Sequence, residues 1–290
     1  MLYLGIDGGA TAAKWSIQDA DGVVASGKSL ALDGHMYRSE SQERMHTVFA
    51  EIAGEVEADK VLRIYAGLTG LAEDPSDRAL IASIAQKYFP NARVTLALDI
   101  ELAYRAHCES EGILLYAGTG STAISMRGDG TWSRVGGWGY LLGDEGAGYW
   151  IGREAIRHTV LNLELHKTDP LSTGISQSLN VSSWGEIRTF VYGKERSHIA
   201  ALSHVVNELA SQGDSTAELI LTNAADQLSE LISRMDRILG DTSHPIVITG
   251  GVAQKIPLIF QSLKGIYGDR ISMGKKDIAE AASRLARDLP

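Results

Sequence analysis

The sequence predicts an α/β protein built from two related domains. Two observations carry that prediction. A pattern of strand, glycine turn, strand, Asp-Gly turn and strand opens the chain and returns near its middle, and helical periodicity fills much of the remainder. The first copy is LYLGIDGGATAAKWSIQDADGVVASG (residues 2–27) and the second is GILLYAGTGSTAISMRGDGTWSRVGG (residues 112–137). Gly8 and Gly22 are 14 positions apart, and Gly118 and Gly130 are 12 apart, so the two meanders correspond to within a couple of residues.

In chain order, Leu2–Ile6 reads as a buried strand, Ala13–Ile17 alternates as a second, and Val23–Ser26 begins a third after the Asp19–Gly22 hairpin turn. Met45, Val48, Ile52 and Val56 recur near a period of 3.6 and predict a helix over Arg44–Val56, with Ser39 and Gln42 as a capping box. Val61–Leu68 is a strand, and Asp74-Pro75 starts a helix that runs to about Tyr88. Val94–Leu98 is a strand ending at Asp99, followed by a short helix to about Cys108. Beyond the second meander, residues 147–240 are helical in pattern, most clearly over Thr216–Leu239. A buried strand at Ile246–Ile248 runs into Gly250-Gly251. Helices follow at Ala253–Leu263 and, capped by Asp277, at Asp277–Leu289.

The chain has 290 residues, 44% of them hydrophobic, enough for two domains with substantial cores. A net charge of −9 and the lack of any Lys/Arg run argue against a nucleic-acid partner. An acidic chain can still hold phosphates through backbone N–H groups, helix termini and Mg²⁺. Cys108 is the one cysteine, which excludes an internal disulfide. With no signal-peptide pattern and no apolar stretch of membrane-spanning length, the expectation is a cytoplasmic protein without a membrane partner.

The turn in GIDGGATAAKW (residues 5–15) fits neither the Rossmann fingerprint nor the P-loop, because a strand follows it where those motifs require a helix. Each meander carries hydroxyls just after its glycines: Thr11 in the first, Thr119 and Ser121 in the second. Two such turns would clamp a polyphosphate, with Asp7 holding Mg²⁺ through water; either turn alone is equally well an ordinary hairpin. Asp99, at the end of its strand, is placed to take a proton from a hydroxyl nucleophile or, more plainly, to cap the next helix. In GGWGYLLGDEGAGYWIG (residues 136–152), Trp138 offers an apolar platform and Asp144 an acceptor for ligand hydroxyls. Asp144 and Glu145 also stand favourably before a helix starting near Gly146–Ala147. Gly250-Gly251 would let a flat ring approach the backbone, or would simply form a tight strand-to-helix turn. The histidines show no metal-ligand spacing and read as surface or packing residues apart from His35. Lys194-Glu195-Arg196 reads as a solvated loop.

The segments GIDGGATAAKW, LALDIELAY, YAGTGSTA, GGWGYLLGDEGAGYWIG and ITGGVAQ come in the order and spacing of the N-acetylglucosamine kinases. The chain thus resembles the kinase-like members of the BadF/BadG/BcrA/BcrD ATPase family, in the superfamily of actin and sugar kinases. The resemblance spans nearly the whole chain and is strongest over residues 94–153. It implies two RNase H-like domains flanking a nucleotide cleft. One would be residues 1–110 with the C-terminal helix 277–290, the other residues 111–276 with a helical insertion at about 155–215. It implies ATP and Mg²⁺ as cofactors and an amino sugar as the substrate; a homodimer is compatible with it.

By matching position, Asp7 would lie at Mg²⁺, with Gly8, Gly9 and Thr11 in the first phosphate motif. Gly118, Thr119, Gly120 and Ser121 would form the second, Gly250 and Gly251 the adenosine motif, and Ala200 a further ATP contact. Asp99 would be the base acting on the sugar's 6-hydroxyl, and Gly137, Trp138, Gly139 and Asp144 would bind the sugar. Three departures stand out. Ala10 replaces a glycine of the first turn, Ala147 replaces a serine, and Gly34-His35 stands where a Ser-Asn pair contacts the sugar, which bears on the sugar's identity more than on the reaction. Two other readings compete with a sugar kinase. An ATPase driving electron transfer to a dehydratase would need two cysteines per chain for a shared iron–sulfur cluster, and this chain has one. A sugar-sensing regulator would need an added DNA-binding segment, whereas the first strand is expected from Leu2.

Overall fold

The apolar N-terminal run forms β1 (Leu2–Gly8), paired antiparallel with β2 (Ala13–Gln18), which pairs antiparallel with β3 (Val23–Ser29). Asp19 closes the second hairpin by accepting from the amides of Asp21 and Gly22 at 2.8 and 3.1 Å. Then come α1 (Ser39–Gly54), β4 (Val61–Leu68), α2 (Pro75–Tyr88), β5 (Arg93–Leu98) and α3 (Asp99–His107). β4 pairs parallel with β1, and β5 parallel with β4, giving the sheet order β3-β2-β1-β4-β5. This computed structural model describes residues 1–9, 12–108 and 111–289, and the chain divides into two units, Met1–Glu109 with Lys275–Pro290, and Ser110–Gly274.

α1 begins five residues earlier than its apolar periodicity indicates, and the expected Ser39/Gln42 capping box is absent. Ser39 is the first helical residue, its N-cap Arg38 provides no side-chain bond, and Gln42 instead donates to the Met36 carbonyl at 2.6 Å. α2 starts as its sequence indicates, with the Asp74 carboxylate accepting from Ser76 N at 2.8 Å and Pro75 in the first turn, where no N–H is needed.

The second unit repeats the plan. β6 (Ile113–Ala117), β7 (Ser121–Met126) and β8 (Trp132–Gly136) form an antiparallel meander. Helices α4 (Gly148–Glu164), α5 (Pro170–Leu179), α6 (Trp184–Gly193), α7 (Arg196–Ser211) and α8 (Ser215–Leu239) follow. The unit closes with β9 (Ile246–Thr249), α9 (Gly251–Lys255), α10 (Pro257–Tyr267) and β10 (Ile271–Met273). Its sheet order, β10-β9-β6-β7-β8, is that of the first sheet: a three-stranded meander extended by two parallel strands. α8 carries the widest apolar stripe, burying Leu221, Leu228, Ile232 and Met235 against the sheet. Asp214 caps its first turn at Ala217 N (2.8 Å), and Gly240 ends it in the left-handed conformation.

Three local expectations are corrected in this unit. The continuous helix expected over Ala253–Leu263 is two helices, because Pro257 lacks an N–H and starts a new helix after Ile256. Glu195 is the N-cap of α7 and Arg196 its first residue, so that charged triplet is a helix start. Helix α4 begins at Gly148 with Ala147 as N-cap and no side-chain cap; Asp144 is turned elsewhere.

The last helix, α11 (Ile278–Asp288), returns to the first unit. Asp277 caps it, accepting from Glu280 N at 3.0 Å. Its face of Ala279, Ala282, Ser283 and Ala286 is fully or nearly fully buried, and the small side chains let the helix backbone lie directly on β1 at Gly5. Among the described residues no helix is long and apolar enough to cross a membrane.

Candidate functional site

In the first unit the parallel strands β1, β4 and β5 end at one edge of the sheet, and their C-terminal residues are the candidates. Asp7 is the penultimate residue of β1. Burial pushes its carboxyl up to about 6, the nearby charges of Asp99 and Asp277 add to the rise, and Lys14, its register partner on β2, opposes it. Asp99 is not the N-cap of α3: Leu98 holds that position, and Asp99 is the first helical residue, with Oδ1 accepting from Ile100 N at 2.8 Å. Among the described residues no group of three or more candidate ligands is gathered, but the buried Asp7 carboxylate, raised in part by the charges of Asp99 and Asp277, is one that a divalent cation would stabilise, and Mg²⁺ needs only one or two carboxylates with water, so Asp7 fits the expected Mg²⁺. The fields of Lys14 and Asp277 on Asp7 were not legible from spacing.

The Asp7 shift has a testable sign. The folded chain holds this proton up to a pH of about 6, against 3.8 for an ordinary aspartate, so Asp7 favours folding at low pH, and that contribution is lost as pH rises through about 6. Without Mg²⁺ or nucleotide, Asp7→Asn should raise unfolding stability at pH 8 by about 2–3 kcal/mol and leave it nearly unchanged at pH 4. Denaturant titrations at the two pH values check this, and an equal effect at both would contradict it.

The first glycine turn is braced from outside. Gly8 O accepts from Thr69 N at 3.0 Å, and Gly9 O accepts from Leu32 N at 3.2 Å. Ala10 and Thr11 lie outside the described residues. The segment that braces Gly9 leads to His35. Buried Asp33 holds this loop: its Oδ1 accepts from His35 N and pairs with His35 Nδ1, both at 3.1 Å, and its Oδ2 accepts from Arg44 at 2.5 Å. Burial alone would raise the Asp33 carboxyl, but hydrogen bonds from Ser41, His35 and Arg44 outweigh it and hold it below the usual range. The His35 ring lies against Gly70, just beyond β4, and keeps about a third of its surface exposed. Sequence reading singled out His35 and missed Asp33, which stands two residues before it.

In the second unit the glycine turn between β6 and β7 closes on itself, with Gly118 N donating to Gly120 O at 2.9 Å. Gly148 N and Tyr149 N, at the start of α4, donate to Gly118 O and Thr119 O at 2.8 and 3.2 Å. Asp144, in the left-handed conformation and 5% exposed, accepts from Ser121 N at 3.2 Å. Its carboxylate lies so close to Gly120 that a Cβ there would stand 2.7 Å from an oxygen. Burial raises the Asp144 carboxyl above the ordinary range; Ser121 N–H and Arg196 oppose that and Glu145 reinforces it. Ser121 is buried, its hydroxyl donating to Glu145 O at 2.7 Å, so both its donors serve the turn. Gly137 N donates to Ser121 O at 3.0 Å, and Trp138 beyond it is 73% exposed, followed by Gly139, Leu141 and Leu142 on the surface.

A cavity of about 330 Å³ within this unit gathers four of the expected nucleotide residues: Gly118 and Thr119 from the turn, Ala200 from α7 and Gly251 from α9. Gly250, between β9 and α9, has φ of +102°, and its α-carbon packs against the Ala117 carbonyl at the end of β6. The cavity also takes His204 and Lys255, neither of which the sequence reading placed there. Both stand four residues after an expected contact, Ala200 and Gly251, on the same helix face, a spacing that signals the shared surface. Gly137, Trp138, Gly139 and Asp144 do not line this cavity.

The family model of the BadF/BadG/BcrA/BcrD ATPases matches residues 4–270. The chain is 26% identical to an N-acetylmuramic acid/N-acetylglucosamine kinase of Clostridium acetobutylicum, over 90% of this chain and 88% of that one. It is 25% identical to an N-acetyl-D-glucosamine kinase of Dictyostelium discoideum, over 93% and 89%. Among solved structures, a Chromobacterium violaceum protein at 22% identity superposes over 98% of both chains with a TM-score of 0.80. A ROK hexokinase of Thermus thermophilus, at 16% identity, superposes over 99% of this chain and 98% of its own with a TM-score of 0.62. The fold is therefore the α/β architecture of the actin-like ATPases and sugar kinases, with its two RNase H-like domains.

Proposed function

The chain belongs to the BadF/BadG/BcrA/BcrD ATPase family, and from that premise we propose that it is an ATP-dependent kinase that phosphorylates the 6-hydroxyl of an amino sugar. N-acetylglucosamine or glucosamine is the substrate favoured by this reading. The observation that carries it is the cavity in the second unit, where Gly118 and Thr119 meet Ala200 and Gly251 from sequence-distant elements. A glycine turn opening on a cavity of this kind suits a nucleotide, with backbone N–H groups for phosphate and Lys255 as a nearby positive charge.

Phosphoryl transfer asks the protein for positioning, charge neutralisation and a base. In this reading Gly118, Thr119 and Gly120 hold phosphate, with Gly8, Gly9 and Thr11 as the first phosphate motif. Gly250 and Gly251 flank the adenosine. Asp144 acts from below, fixing the second turn through Ser121. Asp7 is the residue that would hold Mg²⁺, and the ion, when bound, would supply charge neutralisation for phosphoryl transfer. Asp99 accepts the sugar hydroxyl proton, while Lys14 offsets negative charge beside Asp7. In the first unit His35, oriented by Asp33, is assigned to the choice of sugar, as are Gly137, Trp138 and Gly139 in the second unit. The relatives' names support the sugar-kinase reading at the level of reaction, and the His35 loop is where the choice of sugar lies.

A coupled ADP-release assay against glucosamine, N-acetylglucosamine, N-acetylmuramate, glucose and N-acetylmannosamine tests it. Turnover is expected on at least one amino sugar and well above that on glucose. ADP release that no sugar stimulates would sink the proposal.

A further inference from the structure

A second, larger cavity of about 580 Å³ opens among α4, α5 and α6 in the second unit, and it shares no residue with the one assigned to nucleotide. One face of α5 lines it: Ser172, Thr173, Ser176 and Gln177 follow the i, i+1, i+4, i+5 spacing of a single helical stripe, and Asn180, the left-handed C-cap, joins them from just past the helix end. A polar stripe is ordinarily the solvent face of a helix, and here it bounds a cavity. Leu163, Val181 and Ile187 supply an apolar wall. Its volume lies within the roughly 300–1,000 Å³ typical of small-molecule sites.

The floor is rigid. Asn162 is 8% exposed, and its Nδ2 donates to Asp169 Oδ2 at 2.8 Å and to Ser172 Oγ at 3.2 Å. Asp169 Oδ2 also pairs with His158 Nε2, and Asp169 Oδ1 accepts from Ser172 N at 2.7 Å. This network fixes the Asn162 amide. Its Oδ1 takes no hydrogen bond from any described residue, and Asn162 is one of the residues that line the cavity. At the rim, Glu186 is already spent on Ser182 N, Ser182 Oγ and Ser183 N. Lys167 is the one cation of the lining and forms no ion pair with any described residue, while the Glu186 carboxylate that shares the lining is bound by the Ser182 and Ser183 amides.

We propose that this cavity binds a hydroxylated anion of hexose size, a phosphorylated or carboxylated sugar, separately from the nucleotide and acceptor sites. The hydroxyls and amides of α5 and the Asn162 amide oxygen meet the ligand's hydroxyls. The apolar wall takes its C–H face, and Lys167 takes the anionic group.

Calorimetric titration with glucose 6-phosphate, gluconate and glucose tests this on the full chain, comparing wild type with Lys167→Gln and Ser176→Leu. Neither side chain has a hydrogen-bond partner among the described residues, so both variants should melt like wild type and keep the wild-type turnover on whatever acceptor it uses. At least one of the two anions is expected to bind wild type. Lys167→Gln should weaken it about tenfold, as loss of a charged hydrogen bond does, and Ser176→Leu, which fills the cavity, at least as much. The tighter of the two anions identifies the anionic group. Absence of binding by both anions, or binding unchanged in either variant, overturns the proposal; a ligand held only at the kinase site would give the second result. These readouts are independent of the sugar-kinase assay, so the two readings fail separately.

Discussion

Asp99→Ala is expected to lower the rate of sugar phosphorylation by about 10²–10⁴-fold, the usual contribution of a positioned general base. The effect should fall on kcat, with the KM for ATP changed little, because Asp99 does not line the nucleotide cavity. Loss of folding would not explain such a result, since Asp99 is the first residue of α3 and not its cap, and Leu98 N still donates to Glu101 Oε2. A second readout separates a catalytic from a merely structural role. Asp99 is one of the charges raising Asp7, so its removal should move the Asp7 titration below about 6. Near-normal turnover in the variant, measured by coupled ADP release, would remove Asp99 from the role of base.

Gly250→Ala and Gly251→Ala should behave in opposite ways although the residues are adjacent. Gly250 sits at φ of +102°, where an L side chain is strained, and an added Cβ would stand 2.4 Å from the backbone oxygen of Ala117. No rotamer relieves a clash with backbone, so strain and displacement of β6 from the turn together should cost about 3 kcal/mol or more. For a unit of this size that is a fall in melting temperature of roughly 6–12 °C. At Gly251 an added Cβ meets nothing within 4 Å, and the residue is helical, so Gly251→Ala should leave stability unchanged or slightly improved. Because Gly251 lines the nucleotide cavity, the same methyl should weaken ATP binding. Thermal melts and ATP titrations of the two variants check the pair. Equal melting temperatures would refute the packing account of Gly250, and wild-type ATP affinity in Gly251→Ala would remove that glycine from the nucleotide site.

Much of the fold was legible because its elements are local. The apolar run of Leu2–Ile6, the alternation of Ala13–Ile17, the Asp-Gly turns and the apolar stripe of α8 each specify a structure within a few residues. The recurrence of the first meander in the second survives in identical sheet orders. The helix boundaries that were missed are set by something outside the periodic stripe. α1 starts early because residues before its apolar face are already helical, and Pro257 splits a helix whose apolar positions run on without interruption. Asp144 was read as an acid before a helix. Its actual partner is Ser121, 23 residues away, and no spacing rule joins the two.

The sequence by itself determined the α/β class, the paired meanders and the residue types on which any phosphate chemistry would rest, because backbone preference and side-chain period act over short range. Only the tertiary structure decided what those residues do to one another. It brought Asp277 from the end of the chain within the field of Asp7, buried Asp33 under His35, set Asp144 beneath the second turn, and joined Ala200 and Gly251 to Gly118 around one cavity. Burial and charge act through space, and the distances that set their strength exist only once the sheets and helices have packed.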